Sequence, residues 1–323
     1  MIDSFVPFKV HWLFRGGVVQ TILATKFPGE PVLPQRKTHK IKVGPKSSII
    51  ALELEATNPR GSIVLLAHGM GGCSESGYMR RIAAKLWSKG SGVFMMNHRG
   101  SGPGMGLSDS LWNGGSSDDL DHMVKHIVKL YPKRSLLIVG FSLSGNVLLK
   151  YLGEGRTLPA NIHGAFAVNP PVNLKVASKI LSKKNGGGIF NNYYMHMIHR
   201  QCEALAECHP DAFQPQKQFK TIWDFDEVYT APAAGFADVE DYYAKCSSNQ
   251  FIDSIDIPTV ILCAKDDPFV PPSVFDNIKM NLPINTIFPE RGGHMGYLTS
   301  KETPFGDHRW MDYVVVNWVE NPE

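Results

Sequence analysis

Hydrophobic and polar positions change rhythm twice along this chain. From Ser62 onward, short and nearly continuous apolar runs recur at Ile63 to Ala67, Val93 to Met96, Leu136 to Val139, Ala165 to Val168, Thr259 to Cys263 and Thr286 to Phe288, and each reads as a buried strand. Between them the apolar positions take helical spacing over Tyr78 to Trp87, Asp118 to Leu130, Val147 to Leu152, Ser273 to Met280 and Trp310 to Val319. Strands without a polar face, alternating with helices, predict an α/β fold whose mainly parallel sheet carries helices on both faces. Upstream, alternation in Lys40-Ile41-Lys42-Val43 and in Ile49 to Leu54 predicts a hairpin of two half-exposed strands, bringing the sheet to eight. The strand-helix rhythm stops between about Pro170 and Ile255, a stretch with Gly186-Gly187-Gly188, a polar aromatic run from Asn191 to His199 and no strong strand signal. It reads as an inserted helical cap. The expected organisation is an N-terminal arm packed on the core (1–37), a core in two pieces (38–169 and 256–323) and the cap (170–255). No internal repeat is evident.

Composition narrows the functional classes. With 323 residues, 43% of them hydrophobic, the chain can bury a large core. A formal net charge of +3, without a dense Lys/Arg block, argues against a nucleic-acid partner. Five scattered cysteines (Cys73, Cys202, Cys208, Cys246, Cys263) with no Cys-x-x-Cys favour free thiols and a cytoplasmic location. The segment Met1 to Leu33 shows neither a signal-peptide core nor an apolar run of membrane-spanning length. Its aromatic and apolar residues Phe5, Phe8, Trp12 and Leu13 are expected to pack on the main domain rather than on a membrane surface.

The candidate chemistry begins at Gly140-Phe141-Ser142-Leu143-Ser144-Gly145, where an apolar strand gives way to a helix. A tight turn there would expose the Ser142 hydroxyl above the sheet, and the helix N-terminus behind it favours developing negative charge. The motif departs from Gly-x-Ser-x-Gly at Ser144, read as a tolerated small residue. A nucleophilic serine needs a base, a carboxylate to orient that base and donors for the oxyanion. Asp267 follows the Thr259 to Cys263 strand in Asp267-Pro268-Phe269-Val270-Pro271, and is preferred as the acid to Asp266, which is expected to hold the loop through backbone hydrogen bonds. His294 follows the last strand in Gly292-Gly293-His294-Met295-Gly296. Serine, acid and histidine thus occur in hydrolase order, each at a strand end. The oxyanion donors are expected to be the backbone N–H groups of Leu143 and Met70, the latter in His68-Gly69-Met70-Gly71-Gly72, with His68 bracing that loop.

With these pieces assembled, the chain resembles the YheT-like branch of the α/β-hydrolase superfamily. The resemblance covers nearly the whole chain. It rests on Arg15-Gly16-Gly17 with Gln20-Thr21-Ile22, His68-Gly69, His98-Arg99-Gly100, Asp118-Asp119-Leu120, Gly140-Phe141-Ser142-Leu143, Gly145-Asn146-Val147 through Gly153, Asp267-Pro268-Phe269 and Gly292-Gly293-His294. Phe225-Asp226-Glu227, Thr230-Ala231-Pro232, Gly235-Phe236 and Asp241-Tyr242-Tyr243 extend it into the cap. Departures are Ser144, and Val18-Val19 where the family has a histidine-containing arm. The resemblance implies a carboxylic ester hydrolase without a cofactor or metal, with Ser142, Asp267 and His294 as the charge-relay residues. Its partner would be a small-molecule ester. An apolar acyl group is suggested by the cap residues Phe190, Tyr193, Tyr194, Met195, Met197, Phe213, Trp223 and Phe225, although such stripes more often form core. Transfer of the acyl group to an alcohol, and a non-catalytic binding role on the same scaffold, are the alternatives.

Other signals carry less. His196, His199, Cys202, Cys208 and His209 lack the tight pair of a tetrahedral metal site, and the first three are expected to share a partly buried helix face. Asp118 and Asp119 are expected to cap a helix, and Arg99 to brace loop carbonyls. The glycine-rich run Gly100 to Gly106 lacks the lysine of a phosphate loop.

Overall fold

The computed structural model describes residues 6–322 except 11, 30, 59, 184–187 and 281. Its frame is one eight-stranded sheet in the order β1-β2-β4-β3-β5-β6-β7-β8: β1 (Lys37–Lys42), β2 (Ser48–Leu54), β3 (Ile63–Ala67), β4 (Gly92–Asn97), β5 (Leu136–Phe141), β6 (Ile162–Val168), β7 (Thr259–Leu262) and β8 (Ile284–Ile287). β2 runs antiparallel to β1 and β4, and all pairs from β4 to β8 are parallel.

The unbroken apolar runs follow from burial on both faces. Along β5, Leu136 and Ile138 point into one core with Ile63, Leu65 and Ala165, and Leu137, Val139 and Phe141 point into the other with Val64, Leu66 and Phe166. Period-two alternation therefore separates two apolar faces rather than an apolar face from a polar one. Helices α3 (Ser117–Leu130) and α4 (Leu143–Gly153) close the first core through Leu120, Met123, Val124, Val147 and Leu148. α2 (Gly77–Ser88) and α10 (Trp310–Glu320) close the second through Met79, Ile82, Leu86, Val314 and Trp318. An earlier helix, α1 (Gly17–Lys26), belongs to the N-terminal arm.

Two expected elements differ. The hairpin is half-exposed only in β1; β2 lies between β1 and β4 and is buried on both faces from Ile49 to Leu54. The helix expected over Ser273 to Met280 is a single 3-10 turn, Pro272–Phe275. Pro271 and Pro272 open it and Asp276 and Asn277, weak helix formers, end it, while Phe275 already reaches its packing partner Phe288.

Between β6 and β7 the chain is helical: α5 (Leu174–Ser182), α6 (Gly188–Cys208), α7 (Ile222–Phe225), a π-helical turn (Asp226–Thr230), α8 (Ala231–Ala233) and α9 (Val239–Cys246). Gly186 and Gly187 lie outside the described residues. Of the arm residues expected to pack inward, Phe8 does so against Tyr297 and Trp310, whereas Trp12 and Leu13 are 67% and 56% exposed; Phe5 lies outside the described residues. The arm packs on the core through Val6, Phe8 and Leu33 and bonds to it through Gln20, while its short 3-10 turn (Trp12–Phe14) has no buried residue. Among the described residues no helix is long and apolar enough to cross a membrane.

Candidate active site

β5 ends at Phe141, α4 begins at Leu143, and the single residue between them must reverse the chain. Ser142 does so at φ 51°, ψ −119°, a conformation that is strained for a residue with a Cβ. Its N–H remains tied to the Val168 carbonyl on the neighbouring strand at 2.8 Å, so the strain is held by the sheet. His294 Nε2 stands 2.8 Å from Ser142 Oγ, and His294 Nδ1 stands 2.8 Å from Asp267 Oδ2. One imidazole thus joins a serine and a carboxylate delivered by three separate strand ends.

Asp267 is fully engaged. Its Oδ1 accepts the N–H groups of Phe269 (2.7 Å) and Val270 (3.1 Å), and its Oδ2 accepts the Asn169 side-chain amide at 2.6 Å beside His294. These bonds fix the orientation of the carboxylate in a site only 7% exposed. Asp266 takes the other role expected of it, accepting the Gly293 N–H at 2.9 Å, and burial pushes its carboxyl upward. Gly293 has φ +61°, and a Cβ there would fall 2.2 Å from the Gly17 carbonyl of the arm, so the histidine loop and α1 close on each other only through glycine.

Five residues at this site were not assigned a role from the sequence. Asn169, just after β6, holds Asp267 through its amide while Tyr297 O–H donates to its carbonyl at 2.9 Å; its φ of 46° is one that asparagine tolerates better than most residues. Thr21 on α1 accepts the His294 N–H at 2.9 Å and donates to the Gly17 carbonyl at 2.7 Å. Its only trace in the sequence was the Gln20-Thr21-Ile22 match. Leu174, Ala177 and Leu181 of α5, spaced at i, i+3 and i+7, line the cavity over Ser142, where the expected lining was the aromatic and methionine residues from Phe190 to Phe225.

Ser144 has a larger part than tolerance of a small residue. Its O–H donates to the His68 carbonyl and its Oγ lies 2.7 Å from His98 Nε2. His98 in turn stacks on Trp112 at 3.9 Å, and its N–H points to His68 Nε2 at 3.3 Å. The serine turn and the loop after β3 are therefore braced against each other. Burial lowers both imidazoles, His68 to about 4, so both stay neutral at pH 7. Ser144→Gly, a reversion to the commoner motif, would leave the His98 Nε2–H and the His68 carbonyl unpaired in a buried site. Loss of about 2–4 kcal/mol of stability is expected in urea unfolding; an unchanged midpoint would contradict the bracing role.

The loop after β3 forms a turn closed by the Gly72 N–H on the Gly69 carbonyl at 3.0 Å, with Gly71 at φ +71°. The Gly69 N–H is held by Tyr78 O–H at 3.0 Å. Met70, at the corner of that turn, and Leu143, first in α4, both border Ser142 in the same cavity. The N–H groups of a first helical turn have no acceptor within the helix, which leaves Leu143 suited to bind an anion.

Two cavities meet at this point. An apolar one lies under the β6–β7 segment, walled by α5 together with Ile198, Ile222, Phe225, Phe269 and Val270. A second lies on the arm side, with Thr21, Thr25, Ser76 and Tyr78 in its wall. Ser142, His294, Met70 and Tyr194 border both. Of the cap aromatics singled out, Tyr194 and Phe225 reach the apolar cavity, and Tyr193 the other. Met195 is core, Trp223 packs on Tyr243, and Phe213 is 40% exposed.

Residues 62–301 match the model of a family described as the alpha/beta hydrolase fold. The chain belongs to that family. Similar proteins include YheT of Escherichia coli, 26% identical over 79% of this chain and 76% of its own length, and phospholipase ABHD3 of Mus musculus, 28% identical over 92% and 74%. YheT itself thus stands among the chain's relatives. The solved structure of the Pyrococcus furiosus esterase Pf2001 shares the fold, with a TM-score of 0.58, 15% identity, and 90% of this hydrolase and 94% of that chain covered.

The remaining candidates in the hydrolase resolve only partly as expected. Asp118 and Asp119 do lie in the first turn of α3, but Asp119 pairs with the half-buried Arg99 at 2.6 and 2.7 Å rather than capping the helix; Arg99 also donates to Ser110 and, as expected of it, to a loop carbonyl, that of Val43. Asp118 pairs with Arg156. His196 and His199 are exposed on α6, whose buried stripe is Asn191, Met195, Ile198 and Leu205; at 100° per residue they fall off that stripe, and only Cys202 is half-buried. Among the described residues no group of three or more His, Cys, Asp or Glu side chains is placed to hold a metal ion.

Proposed function

We propose that this chain is a serine hydrolase that cleaves carboxylic esters through an acyl-enzyme. The observation that carries the reading is His294 standing 2.8 Å from both Ser142 Oγ and Asp267 Oδ2 at the mouth of an apolar cavity. Ser142 attacks the ester carbonyl as His294 Nε2 takes its proton. Asp267 stabilises the imidazolium, and the N–H groups of Met70 and Leu143 hold the oxyanion. His294 protonates the departing alcohol, then activates a water that releases the acid and restores Ser142. A relative named a phospholipase and a structural neighbour named an esterase support the same reaction class.

The segment 170–255 acts as a cap that shapes the acyl pocket, and residues 1–37 act as an arm that supports the histidine loop. The apolar walls suit an apolar acyl group. Five free thiols suit the reducing cytoplasm. Transfer of the acyl group to an alcohol is the second reading, favoured by the arm-side cavity, which gives a second alcohol its own approach to Ser142 and His294.

A fluorophosphonate probe should label Ser142 in the folded protein, and p-nitrophenyl esters of increasing chain length should show a maximum in kcat/KM. Absence of labelling would return the chain to a binding role, and a flat chain-length profile would remove the acyl-selective pocket. Added alcohols, with product analysis, separate hydrolysis from transfer.

A further inference from the structure

The apolar cavity has a polar patch within its wall. On α5 the cavity face is Leu174, Ala177 and Leu181, interrupted by Ser178; beside it, on the segment packed against α5, Ile222 and Phe225 are followed by Asp226 and Thr230. Tyr243 joins the two interruptions, its O–H 2.8 Å from Asp226 Oδ2 and 2.7 Å from Ser178 Oγ. A phenol has one proton, so Tyr243 donates to the carboxylate and accepts from Ser178.

Asp226 lies on the π-helical turn Asp226–Thr230, a rare geometry that is frequent at functional sites. Its carboxyl is buried, and burial pushes it up to about 6, the Tyr243 and Thr230 hydroxyls only partly offsetting that rise. At neutral pH it is therefore mostly an acceptor-only carboxylate. Such a group has about four acceptor positions, and no lysine, arginine or histidine among the described residues pairs with it. A carboxylate that served only to tie helices together would gain nothing from facing an apolar void. This one borders the same cavity as Ser142.

We propose that Asp226, supported by Tyr243 and Ser178, is a specificity site that accepts a hydrogen bond from a hydroxyl on the acyl chain, making hydroxyacyl esters the preferred substrate class. The inference rests on the ester-hydrolase reading given above. A hydroxyl fits better than an ammonium, because the walls between Ser142 and Asp226 are apolar and would have to strip a charge of its water. The acyl chain lies along the α5 face, and its hydroxyl donates to the remaining acceptor position of Asp226.

The test compares kcat/KM for p-nitrophenyl esters of matched length, plain and hydroxylated at successive carbons, in the parent, Asp226→Asn and Asp226→Leu. At one hydroxyl position the parent should favour the hydroxylated ester by about tenfold or more, expressed mainly in KM. Asp226→Leu should reverse the preference towards the plain ester, and Asp226→Asn should weaken it. Fluorophosphonate labelling of Ser142 identifies the variants that keep a folded site, and if the leucine variant fails to label, the asparagine variant is read alone. No hydroxyl preference at any position, a preference of undiminished size in the labelled variants, or a stronger preference for aminoacyl esters would overturn the proposal. Turnover without hydroxyl selectivity refutes this inference alone, whereas no turnover of any ester and no labelling of Ser142 refutes the ester-hydrolase reading with it.

Discussion

Ser142→Ala will lower kcat for a p-nitrophenyl ester by about 10⁴–10⁶-fold while leaving the thermal unfolding of the protein nearly unchanged. The first part follows from the proposed chemistry: no other hydroxyl is described within hydrogen-bonding distance of His294 Nε2, so the variant retains oxyanion binding and substrate positioning but no nucleophile. The second follows from the backbone. Alanine keeps the Cβ and therefore the same strain at φ 51°, and the bond that holds the turn comes from the Ser142 N–H rather than from its side chain. The two measurements together separate loss of a nucleophile from loss of a fold. Esterase turnover within about tenfold of the parent would end the assignment of Ser142.

Asp267→Asn should cost nearly as much, about 10⁴-fold in kcat. An asparagine amide presents either a donor to His294 Nδ1, forcing the imidazole into the wrong tautomer, or a neutral acceptor that stabilises the imidazolium far less. It also meets the Asn169 amide at 2.6 Å and the Phe269 N–H at 2.7 Å, both placed to serve a carboxylate. Asp266→Asn, one residue away, should remain within about tenfold of the parent, because its carbonyl oxygen can still accept the Gly293 N–H. Kinetics on one ester, side by side, decide the matter. Equal losses in the two variants, or a larger loss at Asp266, would reassign the acid.

The contrast between these neighbouring aspartates shows how far the residue pattern reaches. The spacing of Asp267 to Val270 and Pro271 pointed to the residue that now meets His294, since the turn Asp267-Pro268-Phe269 brings two backbone N–H groups onto its own carboxylate. That is local geometry, and local geometry is legible. The partner on the other side, Asn169, lies 98 residues away in sequence and follows a different strand. Nothing in the spacing of either segment announces their meeting. Ser144 is a similar case: it read as a small residue replacing a smaller one, and its bonds to His68 and His98 exist only because β3 and β4 lie side by side next to β5.

Alternation of apolar runs and helical periods was enough to derive the sheet, its two buried faces, the helical stretch between β6 and β7, and the chain order of serine, aspartate and histidine at strand ends. Each is set by interactions over a few residues: a strand alternates its side chains, a helix repeats every 3.6, and a turn requires a glycine or a proline at a particular place. Packing across the chain decided the rest. The second burial of β2, the replacement of the helix at Ser273 to Met280 by one turn, the pairing of Asp119 with Arg99, the exposure of Trp12 and Leu13, and the contact of Thr21 with a histidine 273 residues later depend on which elements become neighbours. So does the polar patch at Asp226. Its carboxylate, the Ser178 hydroxyl and the Tyr243 phenol belong to three helical segments, and only their closure over one cavity gives them a common task.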